Sequence, residues 1–399
     1  MAIRPRSEDL SLRGEQETQV TDTRPTSARE RAGESALAPR VQGTVRIVGA
    51  GLLGASIGHA LTARGVDVAL DDTSPSQLRL AVDYGAGRHA TDSDQPSLVV
   101  VAVPPDVTAD VIQRELARYP RAVVTDVASV KLEPLRTLRE RGVDLTHYIG
   151  SHPLAGRERG GAISARADIF VGRPWVVCRD EETPSADLAL VEGLALDLGA
   201  TPLEMSPEDH DRAVALVSHV PQLVASLLAG RFVDAPDGSL RLAGQGVRDT
   251  TRIAASAPEL WVQILGANAA PVVDVLDLLA ADLTAVADAL RAPDAPGSRR
   301  AVADTIRRGN DGVERLPGKH GQNRRFEQVV VMVDDTPGQL GRLFGELGEL
   351  GVNVEDLRLE HSPGAQFGLA EISVVPSAVR RAVDGLESRG WKIASTTND

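Results

Sequence analysis

The stretch VRIVGAGLLGASIGHALTARG, residues 45–65, decides how the chain is read. A short β-branched run leads into glycines at 49, 51 and 54, and an apolar-periodic helix follows to Gly65. The spacing Gly49-x-Gly51-x-x-Gly54 between a strand and a helix suits a dinucleotide. Gly49 permits the tight turn, Gly51 lets the backbone approach a pyrophosphate, and Gly54 lets the helix pack on the strand. The helix N-terminus then offers unpaired amides and a positive dipole to the phosphates. VDVALDD follows as a second strand, and Asp72 at its end stands 18 residues after Gly54, where a ribose 2′-hydroxyl would be held. Its neighbour Asp71 is the alternative. No arginine follows immediately, which favours NAD over NADP.

Working outward, SPSQLRLAVDYG reads as a helix closed by Gly85. SLVVVAVPP and AVVTDVASVK are apolar throughout, as in strands of a parallel sheet covered on both faces. PWVVCRD and ATPLEMS are further strands, with ADLALVEGLALDLG as the helix between them. This alternation implies right-handed crossovers and an α/β fold with a Rossmann-type doubly wound parallel sheet over residues 43–205. Residues 1–42 show no apolar period and read as a disordered tail.

From Ser206 the pattern turns helical. SPEDHDRAVALVSHVPQLVASLLAGRF reads as one long helix, with Ser206 as N-cap and Pro207 at the first helical position. Pro221 removes the helix hydrogen bond to Val217 and predicts a kink at His219. His210 and His219 are nine residues apart, which puts them on opposite faces of an α-helix. His210 therefore reads as structural, paired near the helix start. An all-helical domain over 206–292 is expected, then a Pro/Gly/Arg-rich linker over 293–325. Residues 326–399 run β-α-β-β-α-β, the ferredoxin-like split order.

Composition narrows the function. The 399 residues make two to four domains at roughly 100–200 residues each. A net charge of −13 argues against a nucleic-acid partner. No apolar run is expected to reach the 18 residues of a membrane span, and the N-terminus lacks the apolar core of a secretory signal. A cytoplasmic protein without a membrane partner is the expectation. The single cysteine, Cys178, precludes an internal disulfide and a thiolate cluster, and no metal is expected. Only three of the 43 basic residues are lysine, namely Lys131, Lys319 and Lys392, so a lysine at a strand end stands out.

That lysine closes Asp126-Val-Ala-Ser129-Val-Lys131, at the edge where doubly wound sheets present ligands. The most distinctive string is Ser151-His152-Pro153-Leu-Ala-Gly156-Arg-Glu158. Pro153 biases His152 to an extended conformation, here read as a loop. A histidine beside a nicotinamide suits proton abstraction from an alcohol during hydride transfer. Asp249 and Arg252 are three apart and can form an ion pair if helical, and Trp261 reads as core.

Taken in order, GAGLLGAS, DVASVK, SHPLAGRERGG, SHVPQLVASLL and GVRDTTRIAASAPELW resemble consecutive motifs of the prephenate/arogenate dehydrogenase family of tyrosine biosynthesis, over residues 45–290. The C-terminal unit resembles an ACT domain, whose Asp335-Thr-Pro337-Gly338-Gln-Leu340 signature opens its first helix. The resemblance implies NAD-dependent oxidative decarboxylation of prephenate to 4-hydroxyphenylpyruvate, or of arogenate to tyrosine as the alternative. It makes His152 the general base for the C4 hydroxyl, with Ser129 bonded to the same hydroxyl or to His152. Arg252 would pair with a substrate carboxylate, and His219 would meet the substrate side chain and sense tyrosine. Lys131 recurs in the family pattern and is expected on the substrate side. Glu158 and Asp249 fall in an ionic network at the mouth of the site, where Arg157 replaces a residue that is often small and polar. Leu52, Leu53, Val103 and Pro104 complete the candidate cofactor-binding set. A homodimer through the helical domain is expected. Asp335, Pro337, Gly338 and Leu340 are the expected contacts for a tyrosine or phenylalanine effector.

Two other readings compete. A different ACT-linked NAD dehydrogenase, for a 2-hydroxy acid or a semialdehyde, leaves SHPLAG and SHVPQ without a role. A non-catalytic sensor of NAD and an amino acid leaves His152, Ser129 and Arg252 unexplained.

Overall fold

The computed structural model describes residues 38–156, 160–179, 183–236, 238–316, 326–361 and 367–396. The first unit is built on an eight-stranded sheet of order β3-β2-β1-β4-β5-β6-β7-β8. In chain order it comprises β1 (Thr44–Val48), α1 (Leu52–Thr62), β2 (Asp67–Asp71), α2 (Pro75–Asp83), β3 (Arg88–His89) and β4 (Pro96–Val101). These are followed by α3 (Pro105–Arg118), β5 (Val123–Asp126), α4 (Leu132–Glu140), β6 (Tyr148–Pro153), β7 (Pro174–Cys178), α5 (Ser185–Asp197) and β8 (Thr201–Glu204). The order reverses between β1 and β4, the switch point at which such sheets bind ligands.

Alternate residues of each strand feed opposite layers, as strand geometry requires. Val45 and Ile47 join Ile57 and Leu61 of α1 and Val191 and Leu194 of α5 in one core. Val48, Val99 and Val124 join Ile112 of α3 and Leu138 of α4 in the other. The expectation of a wholly parallel sheet needs one correction. β7 runs antiparallel to β6, pairing Ser151 with Val177 and His152 with Val176. Among the described residues no α-helix links β6 to β7, and a strand re-entering without a crossover helix is free to run antiparallel.

The next unit is helical: α6 (Pro207–Val214), a π-helical segment Ala215–His219, α7 (Val220–Gly230), α8 (Gln245–Thr251), α9 (Pro258–Ala267), α10 (Ala269–Arg291) and α11 (Ser298–Glu314). The kink expected at Pro221 takes the form of the π segment, in which Val220 N–H bonds to Ala215 O, five residues back. Freeing the Val217 carbonyl from its α-helical donor lets the turn widen. Contrary to the sequence expectation, Pro207–Gly230 is long and apolar enough, with mean hydropathy 1.6, to cross a membrane by length and composition. In this fold its buried face instead carries His210, Asp211, His219 and Gln222. The stretch read as a linker also needs correction, since most of it is α11. That helix is held by Arg307–Asp304 within itself and by Arg308–Asp282 to α10.

The C-terminal unit comprises β9 (Glu327–Asp334), α12 (Gln339–Glu349), β10 (Asp356–His361), β11 (Phe367–Val374), α13 (Pro376–Ser388) and β12 (Lys392–Thr396). Its antiparallel sheet has the order β10-β11-β9-β12. Val331, Ala370 and Ile372 of the sheet pack on Leu343 and Leu347 of α12 and Leu386 of α13.

Candidate active site

The turn between β1 and α1 is shaped by its glycines. Gly49 has φ +101°, and a Cβ there would lie 2.2 Å from the Ala102 carbonyl oxygen. A Cβ on Gly54 would lie 1.9 Å from the Gly49 carbonyl oxygen, so only glycine lets α1 start this close to the strand. Gly51 differs, because a Cβ there would meet nothing within 4 Å. Its bare face opens onto space beside a helix N-terminus that no side chain caps. Leu52 and Leu53 contribute first-turn amides, which have no partner within a helix. Val103, with its Cγ1 3.2 Å from the same Cβ position on Gly49, and the exposed Pro104 form the neighbouring wall at the end of β4.

Asp72 and Asp71 have separate tasks. The Asp72 carboxylate accepts from Ala50 N at 2.7 Å and from Ser74 N at 2.7 Å, which holds it beside the glycine turn. Asp71 is engaged by Arg46, which is buried and also paired with Glu115 at 2.8 Å. The residues present therefore fit a dinucleotide, with Asp72, held beside the glycine turn, as the carboxylate that would meet a ribose hydroxyl.

The catalytic candidates gather at the C-terminal edges of β5 and β6. His152 is a strand residue of β6 rather than a loop residue, extended as Pro153 requires and only 9% exposed. Its Nδ1 lies 2.9 Å from His210 Nε2, and His210 Nδ1 lies 2.7 Å from Asp211 Oδ1. Burial above all, then the charges of His210, Lys131 and His219, hold the His152 imidazole well below its ordinary pKa. His152 is thus neutral at neutral pH, with a lone pair available. Burial also lowers His219, to about 4. Its Nδ1 accepts from Asn268 Nδ2 at 3.1 Å, and its ring meets Trp261 edge-on at 6.0 Å. Trp261 is half-buried against this ring rather than sealed in a core.

Lys131, expected on the substrate side, is buried against the strand that carries His152. It is 1% exposed and donates to Asp126 and, at 2.7 Å, to the Ser151 carbonyl next to His152. Asp126 also accepts from Tyr148 Oη at 2.7 Å and from Ala128 N at 2.9 Å. The lysine therefore braces the strand that carries His152. Burial pushes the Cys178 thiol behind it up to about 12, which leaves that sulfur unreactive.

Ser129 is half-buried in the loop between Asp126 and Lys131, and among the described residues it makes no hydrogen bond to His152. Arg252 and Asp249 are exposed, on the turn after α8 and on α8 itself, outside the buried cluster. Asp249 accepts from Gln245 at 2.8 Å. Glu158 and Arg157 lie outside the described residues. Asp335, Pro337, Gly338 and Leu340 line a separate cavity of about 390 Å³, with Gly338 at φ +92°.

Sequence reasoning missed three residues here. His210 was expected to face away from His219, but both rings are buried in one cluster, linked through Asp211 and Asn268. Asp211 accepts from Lys131 N and Leu132 N, both at 2.9 Å, and so caps α4 from the helical unit. Asn268, at the 94° break between α9 and α10, donates to the Asp211 carbonyl at 2.8 Å as well as to His219. A polar residue inside an Ala/Leu-rich helical run was the one signal available for it.

Comparison with known proteins places this arrangement. Residues 57–203 match the family model described as prephenate dehydrogenase, nucleotide-binding domain, and residues 206–303 match prephenate dehydrogenase, dimerization domain. The Streptomyces niveus protein named "Probable prephenate dehydrogenase NovF" is 38% identical over 356 residues, covering 87% of this chain and 98% of that protein. The chain belongs to the prephenate dehydrogenase family. A cyclohexadienyl dehydrogenase from Zymomonas mobilis is 31% identical over 63% of this chain and 89% of that protein. The crystal structure of Synechocystis arogenate dehydrogenase superposes with a TM-score of 0.55 at 27% identity, covering 67% of this chain and 99% of that one. The dimerization-domain match runs to residue 303, past the start of α11, in keeping with a helix where a linker was expected.

Proposed function

We propose that this chain is an NAD-dependent dehydrogenase that decarboxylates prephenate oxidatively to 4-hydroxyphenylpyruvate in tyrosine biosynthesis. The carrying observation is the buried, neutral His152 on the same sheet edge as the glycine turn of residues 49–54. The turn, the uncapped α1 N-terminus and Asp72 would hold NAD, which supplies the hydride acceptor. His152 takes the proton of the C4 hydroxyl as the C4 hydride leaves. The bond from the ring to its carboxylate breaks, its electron pair completes the aromatic ring, and CO₂ departs. Ser129 orients the hydroxyl, and Arg252 pairs with a substrate carboxylate through its planar fork. Glu158 and Asp249 shape the charge at the entrance.

Mixing the purified chain with NAD and prephenate is expected to produce NADH absorbance. No NADH from either prephenate or arogenate would overturn the reading. Arogenate remains the second candidate because the Synechocystis relative is named for it, and kcat/KM for the two substrates decides between them. Arg252→Ala is expected to raise the substrate KM far more than it lowers kcat, as for a group that binds ground and transition states alike. A dominant loss in kcat would remove the clamp role.

Two finer readings accompany this one. The helical unit pairs with a second copy, supported by the exposed Val262, Leu278 and Leu283, which are 68–71% exposed in a single chain. Sedimentation at the mass of one chain would refute it. The C-terminal unit is a ferredoxin-like ACT domain that binds tyrosine or phenylalanine in the cavity at Pro337 and Gly338, where the absent side chain admits a ligand carboxylate. Calorimetry on the full chain with Gly338→Val as control is expected to show heat only for the parent, and no heat in either removes the effector. A cytoplasmic location fits a soluble biosynthetic enzyme of this kind.

A further inference from the structure

We propose that His210 and Asp211 are positioning residues that set the tautomer of His152 and share the proton it takes. The base is then a relay from β6 into α6. The inference rests on His152 being the base.

The argument starts at Asp211. Its two oxygens accept Lys131 N and Leu132 N at the first turn of α4, where unpaired amides and the helix dipole favour an anion. Oδ1 also receives His210 Nδ1 at 2.7 Å. A carboxylate only accepts, so His210 carries its proton on Nδ1, and in its neutral form Nε2 is an acceptor. That Nε2 lies 2.9 Å from His152 Nδ1, which must therefore be the donor. The remaining nitrogen, His152 Nε2, is left with its lone pair. This is the form a general base needs, and an unsupported imidazole would populate it only in part.

Proton balance follows directly. The alcohol proton arrives on His152 Nε2, and the Nδ1 proton stays in the bond to His210. The single positive charge is then spread over two rings that end on the Asp211 anion. Among the groups acting on His152, His210, Lys131 and His219 each oppose a positive charge on it, and none of them supplies a counter-anion. Lys131 is itself neutralised by Asp126. Asp211 is the carboxylate that this histidine pair reaches.

His210→Gln tests the relay. It is expected to lower kcat roughly 10- to 100-fold, the usual cost of losing a partner that orients a reacting side chain. Substrate and NAD KM should stay within about twofold, and the acid limb of kcat/KM should move. A kcat within twofold of the parent with an unmoved acid limb would overturn the proposal. An independent readout needs no variant. Histidine ¹⁵N spectra of the full chain, with His152 assigned from the His152→Asn spectrum, are expected to show Nδ1 protonated and Nε2 bare. The opposite tautomer would overturn the relay even if His210→Gln failed to fold. A silent His210→Gln beside an inactive His152→Asn defeats the relay alone. An active His152→Asn defeats the base assignment itself.

Discussion

Replacing His152 with asparagine is expected to lower kcat by roughly 10²–10⁴-fold, the range a positioned general base contributes. The reasons are local. The imidazole is held neutral by burial above all and by the influence of His210, Lys131 and His219 around it, so its lone pair is available at neutral pH. Asparagine can still donate toward His210 but offers no basic nitrogen. The strand should survive, because the backbone pairing of residue 152 with Val176 does not depend on the side chain. Steady-state kinetics with saturating NAD measure the effect, and near-normal turnover would remove His152 from the mechanism. The depressed histidines also predict acid sensitivity. His219 titrates at about 4 in the fold against 6.5 ordinarily, so the unfolded chain binds its proton first. Stability is therefore full above about pH 6.5, declines as pH falls, and has lost this contribution near pH 4.

The second large effect is on stability. Lys131→Met is expected to destabilise the chain by about 3–5 kcal/mol, the cost of stranding one member of a buried ion pair. Asp126 is fully buried, and its remaining partners are the Tyr148 hydroxyl and the Ala128 amide. The Ser151 carbonyl would lose its donor as well. Urea unfolding monitored by circular dichroism reads the loss. A change below about 1 kcal/mol would show that the pair is not the brace described here.

Much of this fold was legible because its signals are local. Glycine spacing, an acid at the end of a strand and alternating apolar runs each act within a few residues, and the 49–54 turn is built as that spacing requires. The site was half legible for the same reason. His152 announced itself through Pro153, but its partners did not. The opposite-face argument for His210 and His219 assumed a uniform 100° per residue, and Pro221 invalidated it by releasing the Val217 carbonyl into a π turn. The contact between His152 and His210 spans 58 positions and two structural units, which no periodicity reports. Lys131 was noticed for its rarity, yet rarity could not say whether it faced a ligand or a carboxylate. The linker reading failed because arginine-rich composition suggested solvent. In α11 the same arginines pair with Asp304 and with Asp282 of α10.

The carboxylate of Asp211 bears on how far such an enzyme can be recombined. The two family models meet between residues 203 and 206, the natural place to cut and exchange modules. Chemically that junction is no seam. The nucleotide-binding half owns the cofactor turn and His152, while the groups that ready His152 and close the N-terminus of α4 belong to the other half. A chimera whose helical half lacked those groups would keep its cofactor turn and His152 but lose the partners that ready the base, together with a helix cap. The two halves are inherited as one catalytic part.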